Sequence, residues 1–162
     1  MAGRIGFTLI GGAALRAKLA SDDYKEPIAN YLDRAAIYFT NQAKIHLTNS
    51  GAVDTGRTRQ SMAVLEQDDN SRTVGPGTDY APYIEFGRRP GKMPPPDALL
   101  PWMSRHGIPA EAVFAVARSI GQRGIPERPF MRPAATDTEA YMKDLMPEFA
   151  AEIEARYAEG AV

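Results

Sequence analysis

Apolar side chains recur every three or four positions between residues 24 and 49, and this spacing predicts one long amphipathic helix. Asp23 and Glu26 have the spacing of a capping box at its start, and Asn49-Ser50-Gly51 is typical of a helix end. The predicted buried stripe consists of Ile28, Leu32, Ala35, Phe39, Ala43 and Leu47.

Shorter segments before and after this helix predict strands. Residues 5–10 form the first candidate strand, which ends at Gly11-Gly12 and leads into a short helix at residues 13–20. Residues 61–66 and 72–74 are joined by a polar turn. They predict a β-hairpin with a modest alternation of apolar positions.

The second half of the chain is divided by proline and glycine. Residues 80–86 (YAPYIEF) predict either a bent turn of helix or an edge strand, and the sequence alone leaves both open. Residues 87–96 (GRRPGKMPPP) have no apolar set to pack, so we expect an exposed, partly extended or mobile loop. Two short helices follow, one capped by Asp97 and the other at residues 109–122.

The last predicted helix spans residues 134–158 and has apolar side chains at a step of four. Pro147 lies inside it, so we expect a kink or a division into two helices. The apolar set consists of Tyr141, Leu145, Phe149, Ile153 and Tyr157.

The composition is that of one soluble globular domain, with 162 residues, 44% hydrophobic and 24% charged. A formal net charge of −1 excludes a global field that attracts nucleic acid or an anionic membrane. The absence of cysteine excludes disulfides and thiolate sites and fits a reducing compartment. Glycines interrupt the apolar N-terminal stretch, and no apolar run is long enough to cross a bilayer, so we expect neither a signal peptide nor a membrane span.

Charge is nevertheless distributed unevenly along the chain. Residues 84–132 hold eight basic and four acidic side chains, whereas residues 133–162 hold two basic and seven acidic ones. A positive, loop-rich zone and a negative helix suit head-to-tail contact between copies of the chain. The alternative is a solvated helix face together with flexible arginine side chains.

Asp54-Thr55-Gly56 is the tripeptide with which aspartic proteases place a carboxylate at a dimer axis. It is also an ordinary tight turn, and Arg57 beside it would keep both carboxylates of a dyad ionised, so we prefer the turn. Glu85 is expected to form a salt bridge with an arginine. His46 and His106 have no partner at metal-ligand spacing, which indicates solvent-facing or capping roles. We therefore expect no catalytic residue, metal or cofactor.

Nucleic acid is a further alternative partner. Arg88, Arg89 and Lys92 lie beside prolines and could contact phosphates without choosing a sequence. The aromatic side chains have the spacing of a core and not of an exposed stacking platform. A module that contacts DNA non-specifically therefore stays open, whereas sequence-specific binding is not expected.

Three separated segments are distinctive together: VDTGRTRQSM at residues 53–62, YAPYIEFG at 80–87 and RPFMRPA at 128–134. With the long helix before them and the acidic helix after them, they resemble the tail-component family of long-tailed bacteriophages. Members of that family lie at the neck, where they complete the tail and join it to the head. The match runs in order from about residue 5 to the last helix, and residues 94–124 look like an insertion of two short helices.

The resemblance implies a single α+β domain over residues 1–162, in which a small antiparallel sheet packs against the long helix, with a loop and two-helix insertion at residues 87–124. It implies a structural virion protein without catalytic activity, assembled in the cytoplasm of a host bacterium. Its partners would be copies of itself in a six-fold ring, the adjacent neck proteins, the tail tube protein and the passing DNA, and no membrane. Whether it is the tail terminator, the stopper or the joining ring stays open.

The resemblance also implies roles for particular residues. The turn that leads from the long helix into the sheet would be Asp54, Thr55 and Gly56. An aromatic patch, buried by the fold or by a ring contact, would consist of Tyr80, Tyr83, Glu85 and Phe86, followed by Gly87. The entry to the last helix would be Arg128, Pro129, Phe130, Arg132 and Pro133, with Pro133 as its first residue. Contacts with a neighbouring subunit or neck partner would involve Arg57, Arg59, Arg88, Arg89 and Lys92.

Overall fold

The computed structural model describes residues 6–10 and 24–159, with side chains described at residue 6 and at residues 24–156. A long helix packs against a small antiparallel sheet, several short helices follow, and a second long helix completes the described chain. The predicted α+β class is therefore confirmed. The helix predicted at residues 13–20 and the predicted capping residue Asp23 lie outside the described residues.

Helix α1, Lys25–Asn49, is the long helix that the apolar spacing predicted. Its predicted stripe is buried, apart from the half-buried Ile28. Tyr24 precedes the helix without a side-chain cap hydrogen bond. Gly51, at φ 66°, follows the helix end, because a residue in the left-handed region lets the chain turn away from the helix axis.

The sheet has three antiparallel strands in the order β1-β3-β2: β1 Phe7–Ile10, β2 Met62–Asp68 and β3 Ser71–Pro76. The carboxylate of Asp68 accepts the backbone N–H of Asn70 at 2.7 Å, which tightens the predicted hairpin turn. Val74 on the central strand is buried, whereas every residue of β2 after Met62 is exposed. The predicted alternation is wrong for β2, because this strand lies at the sheet edge and α1 packs mainly on β3.

Two short helices follow α1, α2 at Arg57–Gln60 and α3 at Ala81–Glu85. Helix α3 decides between the two structures that residues 80–86 allowed. Pro82 lies in its first turn, where a missing backbone N–H removes no intrahelical bond. Helix α2 was not predicted, since a single turn is too short to produce a periodic apolar pattern.

Between Gly87 and Gly124 the chain forms an excursion that we call the arm (residues 88–123). It consists of two 3₁₀ turns, Pro96–Leu99 and Ala110–Ala112, and two helices, α4 Leu100–Arg105 and α5 Val113–Arg123. Met103, Val113 and Ala117 are its buried side chains. The predicted capping role of Asp97 is wrong, because this residue lies inside the first 3₁₀ turn and no side-chain cap bond forms there.

Backbone hydrogen bonds fasten both ends of the arm. Arg88 and Ile125 each donate an N–H to the other's carbonyl at 2.8 Å, and the Gly91 N–H bonds the Gly121 carbonyl at 2.8 Å. Residues 87–96 are largely exposed, as predicted. Their backbone is nevertheless hydrogen-bonded to α5 and to the segment that follows it.

Helix α6, Met131–Glu159, runs antiparallel to α1, since Arg156 bonds Glu26 at 2.9 Å and Asp137 bonds His46 at 2.6 Å. It begins three residues before the predicted start, so Pro133 is its third residue and not its first. Of the two outcomes expected at Pro147, a kink or a division, the division does not occur, since the helix continues through this residue. Pro147 is exposed, so water can satisfy the carbonyl that loses its backbone partner there.

The base of the arm provides a test of this packing. A Cβ atom at Gly124, whose φ is 76°, would lie 2.0 Å from the Arg88 carbonyl oxygen, whereas one at Gly107, at φ 66°, would meet nothing within 4 Å. Gly107→Ala is expected to lower the free energy of unfolding by about 1 kcal/mol through backbone strain alone. Gly124→Ala adds an overlap with backbone, so we expect a loss of about 3 kcal/mol or more.

Urea unfolding followed by circular dichroism measures both losses, and limited proteolysis shows whether cleavage is concentrated in residues 88–123. Equal losses for the two variants would contradict the close packing at the arm's base.

Candidate functional site: a junction of three segments

Glu85 connects helix α3 to the start of α6. Its side chain is 1% exposed, and its carboxylate accepts the backbone N–H groups of Phe130 at 2.7 Å, Met131 at 2.8 Å and Arg132 at 3.1 Å. The first backbone N–H groups of a helix have no partner within it, so this carboxylate caps α6 from outside. The negative charge also lies at the positive end of the helix dipole.

Arginines 128 and 132 complete this connection. The side chain of Arg132 donates to Glu85 at 3.1 Å and to Glu127 at 2.8 Å. Both carboxylates raise the pKa of Arg132, and the hydrogen bond to Glu127 has the larger effect. The backbone N–H of Arg128 bonds the Ile84 carbonyl at 2.8 Å, and its side chain bonds the Gly51 carbonyl at 2.6 Å. The end of α1, helix α3 and the entry to α6 are thereby held together, with Phe130 fully buried and Pro129 half-buried between them.

The Asp54-Thr55-Gly56 turn lies at the same place. Gly56, at φ 77°, leads into α2, where the Thr58 hydroxyl lies 3.3 Å from the Thr78 hydroxyl. A cavity of about 120 Å³ under the turn is lined by the turn itself and by Leu47, Tyr80 and Ile84. All three segments that carry the family resemblance therefore meet around the end of α1.

Asp54 is joined to the arm by a bidentate ion pair. Arg105 on α4 donates to the two carboxylate oxygens at 2.8 and 2.5 Å, and it holds the pKa of Asp54 below the usual value. A proton-sharing dyad requires a carboxylate that is readily protonated, so this geometry argues against a protease turn. His106, next to Arg105, has the predicted capping role, since its Nδ1 lies 2.9 Å from the Trp102 carbonyl oxygen.

The aromatic residues of the second segment are largely exposed. Tyr80, Tyr83 and Phe86 are 44%, 52% and 59% exposed, and we call them the aromatic face. The expectation that the fold itself buries them is wrong, because Glu85 is the residue of this group that points inward. The Arg132 guanidinium lies 5.7 Å from the centre of the Phe86 ring, which restricts that side chain.

The predicted contact residues lie on two separate parts of the surface. Arg57 and Arg59 are exposed on α2, while Arg89 and Lys92 are exposed in the arm. Arg88 is half-buried, and its guanidinium donates to the Lys92 carbonyl.

Several ion pairs between α1 and α6 were missed in the sequence. His46, for which a solvent-facing or capping role was expected, lies in the last turn of α1 and is half-buried, and its Nε2 lies 2.6 Å from the Asp137 carboxylate. Arg34 bonds Glu148 at 2.6 Å and lowers the pKa of that carboxyl. These partners are about a hundred positions apart in the chain, and helix spacing cannot reveal such a pairing. Several carboxylates on α6 therefore already have a partner within the subunit.

Within residues 6–10 and 24–159, no cluster of three or more acidic or histidine side chains has the arrangement of a metal site. In the same described part of the chain, no helix is both long and apolar enough to cross a bilayer. Comparison with family models, with curated proteins and with solved structures finds no match to this chain.

The junction predicts that substitutions of Glu85 lower the free energy of unfolding by different amounts, according to how many acceptor oxygens they remove. Glu85→Ala leaves three backbone N–H groups without their acceptor and leaves Glu127 as the one carboxylate partner of Arg132 among the described residues, so we expect the free energy of unfolding to fall by about 3–5 kcal/mol. Glu85→Gln keeps one acceptor oxygen and is expected to lose about 1–2 kcal/mol. Glu127→Gln is the control, because this exposed partner of Arg132 should contribute little. The measurement is urea unfolding, and a loss for Glu127→Gln as large as for Glu85→Ala would refute the capping role.

The Asp54–Arg105 pair predicts an acid transition in the arm. A depressed pKa in the folded state means that the pair contributes its full stability above the ordinary carboxyl pKa of 3.8 and loses it in the acid interval below that value, as pH falls through the lower folded pKa. Trp102 is the one tryptophan, and its ring lies 4.7 Å from that of His106, so its fluorescence reports on this contact.

Wild-type emission should change in that pH interval before the far-ultraviolet circular dichroism does. Asp54→Asn should show the acid-form emission already at neutral pH and no transition in the interval. Superimposable titrations of the two proteins would show that the ion pair does not hold the arm.

Proposed function

We propose that this chain is a structural subunit of the neck of a long-tailed bacteriophage, which assembles into an oligomeric ring that completes the tail and joins it to the head. The observation that carries the proposal is the convergence of the three resembling segments. Residues 80–87 and 128–134 meet at Glu85, and residues 53–59 of the first segment line the cavity beside them. Segments that are separate in sequence thus act as one structural unit.

This unit presents the aromatic face on a rigid support. Helix α3 is only five residues long, and the Glu85 network on its inner side fixes it to the entry of α6. Tyrosine, phenylalanine and arginine are the side chains that protein interfaces favour, and a rigid support reduces the entropy lost on association. The aromatic face is therefore the surface that we assign to contact with a neighbouring subunit.

A ring requires a second, different surface on each subunit. The acidic face of α6 is a poor candidate, because Asp137, Glu139, Glu148 and Glu152 already have partners within the subunit. Helix α1 offers an apolar alternative, since Ile37 and Ile45 are 63% and 48% exposed. Contact between the aromatic face and this part of α1 would be heterologous, as ring closure requires.

Substitutions in the aromatic face test the proposal. Tyr83→Ala and Phe86→Ala are each expected to raise the dissociation constant of the subunit contact about thirtyfold, since a central aromatic contact contributes about 2 kcal/mol. Phe114→Ala is the matched control, because Phe114 is 63% exposed but lies on α5 in the arm. Light scattering over a range of protein concentrations gives the oligomeric state, and circular dichroism shows that each variant folds.

Particles provide the second test. Deletion of the gene from a phage that encodes this protein is expected to produce filled heads and separate tails in electron micrographs. Supplying the wild-type protein should restore the joining of heads to tails. Mature particles that assemble normally without the protein, or that do not contain it, would refute the assignment to the neck.

A further inference from the structure

Among the described residues, several cations have no ion-pair partner, and they lie in two groups. Most described lysine and arginine side chains have a carboxylate or carbonyl partner, as Arg34, Arg72 and Arg105 do. Among the residues with described side chains, seven cations have no such partner, and six of these are exposed while one is half-buried. They are Lys44, Arg57, Arg59, Arg89, Lys92, Arg118 and Arg123.

The first group of these cations surrounds the end of α1. Lys44 and Arg59 line one groove of about 450 Å³, whose other lining residues are Ile45, Thr48, Asn49 and Gln60. The lining contains two cations, two amides, a hydroxyl and no carboxylate, so its polar groups are suited to donating hydrogen bonds to an anion. Arg57 lies one helical turn away from this groove on α2 and lines the neighbouring cavity.

The second group lies on the arm. Arg118 and Arg123 are on α5, and the loop that carries Arg89 and Lys92 crosses the same helix at Gly121. A Cβ atom at Gly121 would lie 3.3 Å from the Gly91 carbonyl oxygen, so loop and helix are in direct contact. The Asp54–Arg105 ion pair connects this group to the first, because Asp54 lines the same cavity as Arg57.

The distribution of available carboxylates favours one of two kinds of partner. Six described carboxylates have no partner among the described residues, and they are spread over β2, the loop before α3, the arm and α6: Glu66, Asp79, Asp97, Glu111, Asp144 and Glu154. A second copy would therefore oppose the seven cations with carboxylates scattered over four parts of the chain, two of them in the arm itself. A nucleic acid brings one phosphate every few ångströms, and arginine-rich, donor-lined surfaces match phosphate oxygens.

We infer that two basic patches, one around the end of α1 and helix α2 and the other on the arm, bind the phosphate backbone of duplex DNA without base specificity. Together they form the proposed DNA-binding surface, which includes the groove residues Lys44 and Arg59 as well as the arm. The inference rests on the charge distribution alone and does not require the neck assignment.

Fluorescence anisotropy with a labelled 30-base-pair duplex tests this surface on the full-length protein, at salt concentrations from about 50 to 300 mM. Binding should weaken with salt along a log–log slope of about −4 if four phosphates are neutralised. Lys44→Gln/Arg59→Gln and Arg118→Gln/Arg123→Gln should each make the slope shallower by about 2, because each removes two phosphate contacts. Duplexes of different sequence should bind equally.

Lys25→Gln/Lys143→Gln is the matched control, since it removes the same charge from exposed lysines that are paired elsewhere on the surface. This variant should retain the wild-type slope. An equal change in the control would show that net charge alone acts, and absence of wild-type binding at the lowest salt would overturn the inference. Binding of poly-glutamate as tight as that of DNA, or a loss of self-association in the two groove and arm variants with DNA binding unchanged, would instead assign the surface to an acidic protein partner.

Discussion

The carboxylate of Glu85 is the interaction on which the arrangement of the molecule depends. It is buried, yet it accepts three backbone N–H groups and an arginine, so the cost of removing its charge from water is offset by four donors. The start of α6 is thereby set against α3, and Arg128 ties both to the end of α1. The packing of α6 along α1 follows from this fixed starting point.

The same network separates two surfaces with different chemistry. On its outer side α3 carries the aromatic face, and the arm leaves the body directly afterwards at Gly87. The arm is joined to the body by backbone bonds at its base and by the Asp54–Arg105 pair at α4. One junction thus positions the exposed aromatic face and the arm relative to one another.

Charged side chains are also distributed differently in the two long helices and in the arm. Two carboxylates of α6 hold it to α1, Asp137 and Glu148, and two more pair within α6, Glu139 and Glu152. Among the described residues, the cations of α2 and most of those in the arm have no carboxylate partner, whereas Arg105 pairs with Asp54. A protein with almost no net charge can therefore present a strongly basic region locally. In the proposed neck ring, the aromatic face would contact a neighbouring subunit and the arm would contact the passing DNA through different residues, whereas the groove at Ile45 borders both proposed contacts.

Local patterns in the sequence determined the elements. The apolar stripe of α1, the polar hairpin turn and the glycine stop at Gly51 all depend on neighbours within a few positions, so periodicity and turn chemistry reveal them. The start of α6, the exposure of β2 and the partners of Glu85, His46 and Asp54 were decided by tertiary structure. The three partnerships join residues about 45 to 90 positions apart, and sequence spacing carries no information about such contacts until the chain has folded.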